Sequence, residues 1–383
     1  MNLRQDLGIM RIGLKLLVND RGKFSALLLG ITFAVFLMAQ MTSMFAGILN
    51  RAYSTVTNIG AEVWVMDPAV NTPASPIPLP DYVLDAVRSI DGVSYAVPIF
   101  IGSAQVKLAS GTFQGVSVVG LDDNSLFGRP ALESGQIQDI FADNGFVVVH
   151  DSEFNKLENP RIGTSFELND HRSVIVGIAR VAANGLNGVP TLYTTFSRAT
   201  SYLPTTRFNT SYVLVKPKSA AAIAHIQAEV ARLGYVARTR QEFNQLTAHF
   251  YTYQTGIGTN LLLMTIISFI VGLSISGQTF YTFIIENLEK FGALKAIGAR
   301  NRQLVVMILF MATFTALTGY GLGIGLVTLM ISVAHAELPN YAAITTFGNL
   351  GMAFVMVLVI AAISSYVGIR RVLRIEPFDI FRG

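Results

Sequence analysis

The sequence predicts an α-helical membrane protein with four transmembrane helices and a mixed α/β extracytoplasmic domain inserted between helices 1 and 2. Three observations predict it. Charged residues make up only 14% of the 383-residue chain and hydrophobic residues 51%, with a mean hydropathy of +0.49; soluble proteins carry about 25% charged residues. Four stretches are long and apolar enough to cross a bilayer. Between the first two lies residue range 51–250, polar, turn-rich and rich in short β-type runs.

The spans come first. Phe24–Leu49 has no charged residue and as a helix reaches about 39 Å, more than the roughly 30 Å hydrocarbon core. Gly256–Ile285, Leu304–Val333 and Leu350–Ile369 are equally free of charge, and buried core helices rarely run so long without one. The first apolar run is too long for a signal peptide and no small-x-small cleavage site follows it, so it reads as an uncleaved anchor. Basic residues set the orientation. Arg4, Arg11, Lys15, Arg21 and Lys23 precede the first span; Lys290, Lys295, Arg300 and Arg302 lie between the second and third; Arg370, Arg371, Arg374 and Arg382 follow the fourth. Loop 335–349 has no Lys or Arg. The positive-inside rule then predicts a multi-pass protein of the cytoplasmic (inner) membrane, with both termini and the 286–302 connector cytoplasmic and residues 51–250 outside.

The segments predicted in order are an amphipathic interfacial helix (1–23), the first span (24–50), the outer domain (51–250), the second span with an outer stalk (251–285), the connector (286–302), the third span (303–334), an outer loop (335–349), the fourth span (350–369) and a tail (370–383). In the first helix, Leu3, Leu7, Met10, Leu14 and Leu17 fall within about 80° of arc, with Arg4, Arg11 and Lys15 along one flank. Such a face suits either the lipid interface or another protein's surface. In the outer domain, the runs at 61–67, 116–122, 145–150, 173–181 and 211–217 read as strands, and 80–90 and 219–233 as helices. Two β-α-β passages with a mainly β section at about 122–209 suggest a split domain carrying an insert. The four-proline segment 71–80 reads as a stiff loop. From Gln241 the chain is expected to run as one continuous helical rod into the second span.

Several chemistries are missing. Zero cysteines removes disulfides, thiolate catalysis and zinc–thiolate sites. No GxxxxGK[ST] loop occurs, so ATP hydrolysis by a P-loop is excluded. The five histidines have no metal-ligand spacing, "GVSVVG" (115–120) misses the GxSxG spacing, and "LDDNS" (121–125) lacks the remainder of a calcium loop. No catalytic, cofactor or metal residue is therefore assigned. "GYGLGIG" (319–325) lies mid-span, where Gly319/Gly323 and Gly321/Gly325 give two small-xxx-small packing faces. The span interiors hold no charge, which argues against an ion-coupled transporter; energy has to enter from elsewhere.

The connector "ENLEKFGALKAIGARNRQL" (286–304) remains. As one helix it has no clean face, because Leu288 and Ile297 point in opposite directions. As a short helix framed by Gly292 and Gly298 it does: Ala293, Leu294, Ala296 and Ile297 form an apolar side and Lys295 points away. This segment resembles the coupling segment of the MacB/FtsX-type (type VII) ABC transporter permeases, in which an acidic residue, hydrophobes, Gly, Leu-Lys/Arg-Ala-Leu/Ile-Gly-Ala and basic residues follow one another. The tail "RRVLRIEPFDIFRG" and the runs "EVWVMDP", "DGVSYAVP" and "VSVVGLD" are also similar to that family, as is the order of segments, and the size brings the chain closest to its DevC-like branch. Phe291 stands where an aliphatic residue is commoner.

The resemblance implies a homodimeric permease working by mechanotransmission, with Glu289, Lys290, Phe291, Gly292, Ala293, Leu294, Lys295, Ala296, Ile297, Gly298, Ala299 and Arg300 as the ATPase-coupling residues. It implies two copies of a separate ABC ATPase that holds the ATP and Mg, a periplasmic membrane-fusion adaptor with an outer-membrane channel, and no nucleic acid. The function expected is export of an amphipathic or lipid-like substrate by a subunit that is not itself an enzyme. The alternative is a non-transporting, FtsX-like relay that activates an outer cell-wall hydrolase. A ligand sensor would need an output domain, and only fourteen residues follow Ile369.

Overall fold

The computed structural model describes residues 3–182, 185–186, 188–203, 208–338 and 340–374, with the backbone alone given for residues 3–7. Arg382 and the 375–383 part of the expected tail lie outside the described residues. The chain divides into two compact units. One is a helical bundle (1–47, 258–337 and 343–383) and the other an α/β domain (48–257 with 338–342).

The chain begins with α1 (Leu3–Asn19) and α2 (Arg21–Ala52), which passes into the α/β domain in its last turn. There follow α3 (Ser54–Ile59), β1 (Val63–Met66), α4 (Tyr82–Arg88), β2 (Val93–Lys107), β3 (Phe113–Leu121), β4 (Ala131–Gly135), β5 (Gly145–Val149), β6 (Ser165–Leu168), β7 (His171–Arg180), β8 (Thr191–Thr195), α5 (Phe196–Tyr202), β9 (Tyr212–Pro217), α6 (Ala222–Arg232), β10 (Val236–Thr239) and α7 (Arg240–His249).

β2 organises this domain. Its first half pairs antiparallel with β9, continuing β10-β1-β9, while its second half pairs with β3. Beyond β3 the ladder runs through β8, β5, β7 and β6 and returns to β2 by the Val106–Leu168 pairing, so six strands close on themselves. Closure removes the free edges that an open sheet would expose. Inward side chains such as Val106, Val118, Phe146, Val148, Phe166 and Leu192 fill the barrel. The expected insert at 122–209 is thereby corrected: its barrel draws β3 and half of β2 from before residue 122. The open half is covered on one face by α4 and α6, through Val83, Val87, Ile226 and Val230. A second core sets Trp64 edge-on against Tyr212 and Phe243, at 5.4 and 5.7 Å between ring centres.

α7 is opened by a capping box in which Thr239 and Glu242 satisfy each other's main-chain N–H groups. The expected continuous rod does not form. After α7 comes a π-helical turn, Phe250–Gln254, and then Gly256 in the left-handed region (φ +75°) before α8 (Ile257–Glu286) begins. A left-handed residue ends the helical ladder, and glycine adopts that conformation without steric cost.

The bundle is completed by α9 (Leu288–Ala296), α10 (Asn301–Glu337) and α11 (Phe347–Leu373). α2, α8, α10 and α11 are each long and apolar enough to cross a membrane, as the sequence predicts. Their shared core includes Leu27, Met38, Phe280, Phe283, Met307, Met311, Val357 and Ile360. α1 lies along α10, not on lipid alone: Leu17 is fully buried, and a Cβ at Gly13 would stand 2.8 Å from Met307. The packed face is Ile9, Gly13, Leu16 and Leu17, turned from the expected stripe so that Met10 and Leu14 sit at its edge.

Candidate functional site: the helix between the second and third long spans

α9 starts one residue after α8 ends, and the hinge residue is Asn287. Asn287 is buried; its Nδ2 donates to the Phe283 carbonyl (2.9 Å), and its Oδ1 accepts from Lys290 Nζ (2.8 Å). The same carbonyl also accepts the Asn287 main-chain N–H at 3.2 Å, so main chain and side chain of one residue together close α8 while the chain turns. The other end closes at Gly298, which has φ +104°. Its N–H donates to Lys295 O (3.1 Å), and the next N–H, of Ala299, donates to Leu294 O (3.0 Å). That pair of bonds is the Schellman closure, with Leu294 and Ala299 in apolar contact with the same core. Arg300 N–H then donates to Gln303 Oε1 (2.9 Å), and α10 begins at Asn301.

The frame therefore differs from the expected one. Gly298 is a turn, but Gly292 lies inside α9 and is buried. A glycine permits a turn without forcing one, and here the helical hydrogen bonds continue through it. The helix is two-sided. Phe291 is 0% exposed, and Leu288, Leu294 and Ala299 pack around it on the bundle core. On the opposite side Ala293 and Ala296 are exposed and Ile297 is 84% exposed. Spacings of three and four residues put these three on one face, bordered by exposed Glu289, Lys290 and Arg300. Leu294, expected on the free apolar side, belongs to the packed one. Lys295, expected to point away, reaches back to the last carbonyl of α11, donating to Leu373 O at 3.3 Å.

A second brace lies at the start of α2. Lys23 pairs with Asp20 Oδ2 (3.0 Å) and with Glu286, the last residue of α8. The hydrogen bond from Lys23 holds the Asp20 carboxyl below its ordinary range. In the sequence Lys23 counts only as a charge, and the signal for the hinge is an Asn at the junction of two helices, whose side chain readily bonds nearby main chain.

Of the four glycines expected to pack helices, the structure brings two against a neighbour. A Cβ at Gly319 would stand 2.6 Å from Ile31 Cγ2, and one at Gly323 would stand 2.7 Å from Val35 Cβ. Gly321 and Gly325 face open space, with nothing within 4 Å. Among the described residues no cluster of metal-binding side chains occurs.

Four spanning helices, a mixed α/β domain between the first and second, and a two-sided helix joining the second to the third define a multi-pass membrane protein with a large inserted domain. Two family models cover it: the MacB-like periplasmic core domain matches residues 25–233, and the FtsX-like permease C-terminal region matches residues 261–377. The chain belongs to the MacB/FtsX-like ABC transporter permease family, which makes it an inner-membrane protein with a periplasmic-type domain. Uncharacterized ABC transporter permeases from two strains of Mycobacterium tuberculosis are 23% identical over 368 residues, covering 91% of this chain and 93% of theirs. A protein named as a hemin transport system permease, HrtB of Staphylococcus haemolyticus, is 24% identical over 139 residues, 36% of this chain and 38% of its own. Among solved structures, the periplasmic region of MacB from Actinobacillus actinomycetemcomitans is similar over 48% of this chain and 91% of its own, with 11% identity and a TM-score of 0.37. The extracellular domain of the transporter YknZ from Gram-positive bacteria is similar over 47% and 99%, with 15% identity and a TM-score of 0.36.

Proposed function

We propose that this chain is the permease subunit of an ATP-driven exporter, moved by a separate cytoplasmic ABC ATPase that docks on α9. The observation that carries the reading is the two-sidedness of α9. An 84% exposed Ile297 stands on a helix whose opposite side is locked into the bundle by Phe291. A large apolar side chain so fully exposed, beside acidic and basic residues, is what a partner's groove covers at the centre of an interface. A push on that face reaches α8, α10 and α11 through Asn287, Gly298 and Lys295. With no charged residue inside the spans, force and not an ion gradient drives the cycle. In this reading the termini are cytoplasmic, residues 51–250 face outward, two copies of the chain act together, and an amphipathic or lipid-like substrate passes to a periplasmic adaptor and outer-membrane channel.

The test is Ile297→Asp in the full chain, co-expressed with the ATPase from a neighbouring reading frame. The expected result is loss of ATPase co-purification with the permease still folded. Undiminished recovery of the ATPase would overturn the docking assignment. A relay that activates an outer hydrolase shares the same coupling face. It differs in a deletion strain, where cell-wall cleavage falls and no substrate accumulates.

A further inference from the structure

The α/β domain contains a cavity of about 300 Å³ that the coupling reading leaves unused. Its walls include Arg51 from the last turn of α2, Asn58 from α3, Ser117 from β3, Asp151 from the turn after β5, Tyr193 from β8 and Tyr251 from the π-helical turn. Three properties of this lining point to a ligand. It holds one cation and one carboxylate, and both are withdrawn from solvent: Arg51 is 9% exposed and Asp151 is half-buried. Burial, with the charge of Glu153 adding and that of Arg51 opposing, pushes the Asp151 carboxyl above its ordinary value. A ligand ammonium placed beside it would recover part of that cost. The lining also holds hydroxyl and amide groups, which suit peptide N–H and C=O groups, and apolar side chains such as Ile101, Val119 and Val149 complete the walls.

We propose that this cavity binds a small zwitterionic ligand of the amino-acid or short-peptide class, its ammonium at Asp151 and its carboxylate at Arg51. The position gives the site a consequence. Arg51 and Tyr251 lie on the two chain segments that lead from the domain into α2 and α8, and Tyr251 sits in a π-helical turn, a rare element that concentrates at functional sites. An occupant therefore lies against Tyr251, five residues before the break at Gly256. The site stands independently of the transport reading, since its test needs no ATPase.

The experiment is isothermal titration of the full chain in lipid nanodiscs with tri-alanine, against N-acetyl-tri-alanine amide as the uncharged control. Tri-alanine is expected to bind saturably and the blocked peptide at least about tenfold more weakly, in line with hydrogen bonds to charged groups. Asp151→Asn, which preserves side-chain size, is expected to weaken tri-alanine by about tenfold or more, and Asp151→Glu to retain measurable binding. Arg51→Gln should weaken it similarly in samples whose circular dichroism melt matches the parent. Absence of tri-alanine binding at millimolar concentration, equal binding of the blocked peptide, or full affinity in Asp151→Asn would each overturn the proposal.

Discussion

The ammonium of Lys295 donates to the main-chain oxygen of Leu373 across 3.3 Å, tying α9 to the last residue of α11. Terminal carbonyls of a helix have no partner within it and carry its partial negative charge, so a lysine there serves as both cap and counter-charge. Lys295 is thus a strut between α9 and the fourth span. Lys295→Met should lower bundle stability by no more than about 1 kcal/mol, because the pair is partly solvated. Its larger effect should be on coupling, read as a several-fold fall in permease-stimulated ATP turnover in proteoliposomes. Lys295→Arg keeps the charge and should restore most of it. Unchanged stimulation in Lys295→Met would mean that the strut carries no force.

The two sides of α9 predict opposite phenotypes. Phe291→Ala empties a fully buried site and should cost about 3 kcal/mol, the range for large-to-small changes in packed cores; a thermal melt in detergent reads it. Ile297→Asp alters an 84% exposed position and should leave the melt within about 0.5 kcal/mol of the parent, while ATPase recovery is lost. If the melt falls for Ile297→Asp and not for Phe291→Ala, the faces are assigned the wrong way round.

Packing of α10 on α2 makes a matched comparison between neighbouring glycines. At Gly319 an added Cβ meets Ile31 at 2.6 Å and the Thr32 main chain at 3.4 Å, so α2 has to move away. Gly319→Ala should destabilise by about 1–3 kcal/mol, as overpacking does. Gly321→Ala meets nothing within 4 Å and should be neutral or slightly stabilising, since alanine favours helix over glycine by up to about 1 kcal/mol. Melting both variants in the same detergent checks the order; the reverse order would put the close approach on the other face.

Much of this molecule is legible in its sequence, for reasons that particular residues make plain. The four spans could be read because a charge-free run as long as Phe24–Leu49 has few other uses. The end of α9 could be read at Gly298, since a glycine after a helical run commonly closes it. Gly292 misled, because the same residue type tolerates a helix interior when its neighbour Phe291 anchors the segment. The strand runs at β1, β3, β5, β7 and β9 carry several apolar residues each, whereas β4 (ALESG) is mostly exposed and β6 (SFEL) offers only Phe166 and Leu168. Closure of the barrel rests on the pairing of Val106 with Leu168, a contact between distant positions that local periodicity does not encode. The cavity is hidden for the same reason: Arg51, Asp151 and Tyr251 meet only through the fold. The break at Gly256 stood in view, in "TGIG", but the apolar run beyond it masked the signal.

Asp151 gives a prediction about pH whose sign follows from its surroundings. Burial raises its carboxyl above the ordinary value of 3.8, and the charge of Glu153 adds to the effect. A carboxyl that holds its proton more tightly when folded penalises the fold in its ionised form. The penalty is absent below the ordinary value, grows as pH rises from there through the folded-state value, and is fully present above it. Asp151→Asn removes the charge while keeping an oxygen to accept the Glu153 N–H, a bond of 2.9 Å in the parent. The variant should therefore melt above the parent at neutral pH, with the difference shrinking on acidification and gone below the ordinary carboxylate range. Paired melts across that pH range measure it. A variant that melts below the parent at neutral pH would show that the ionised carboxylate is itself holding the turn after β5, through the Glu153 N–H and the charge of Arg51, more strongly than burial opposes it.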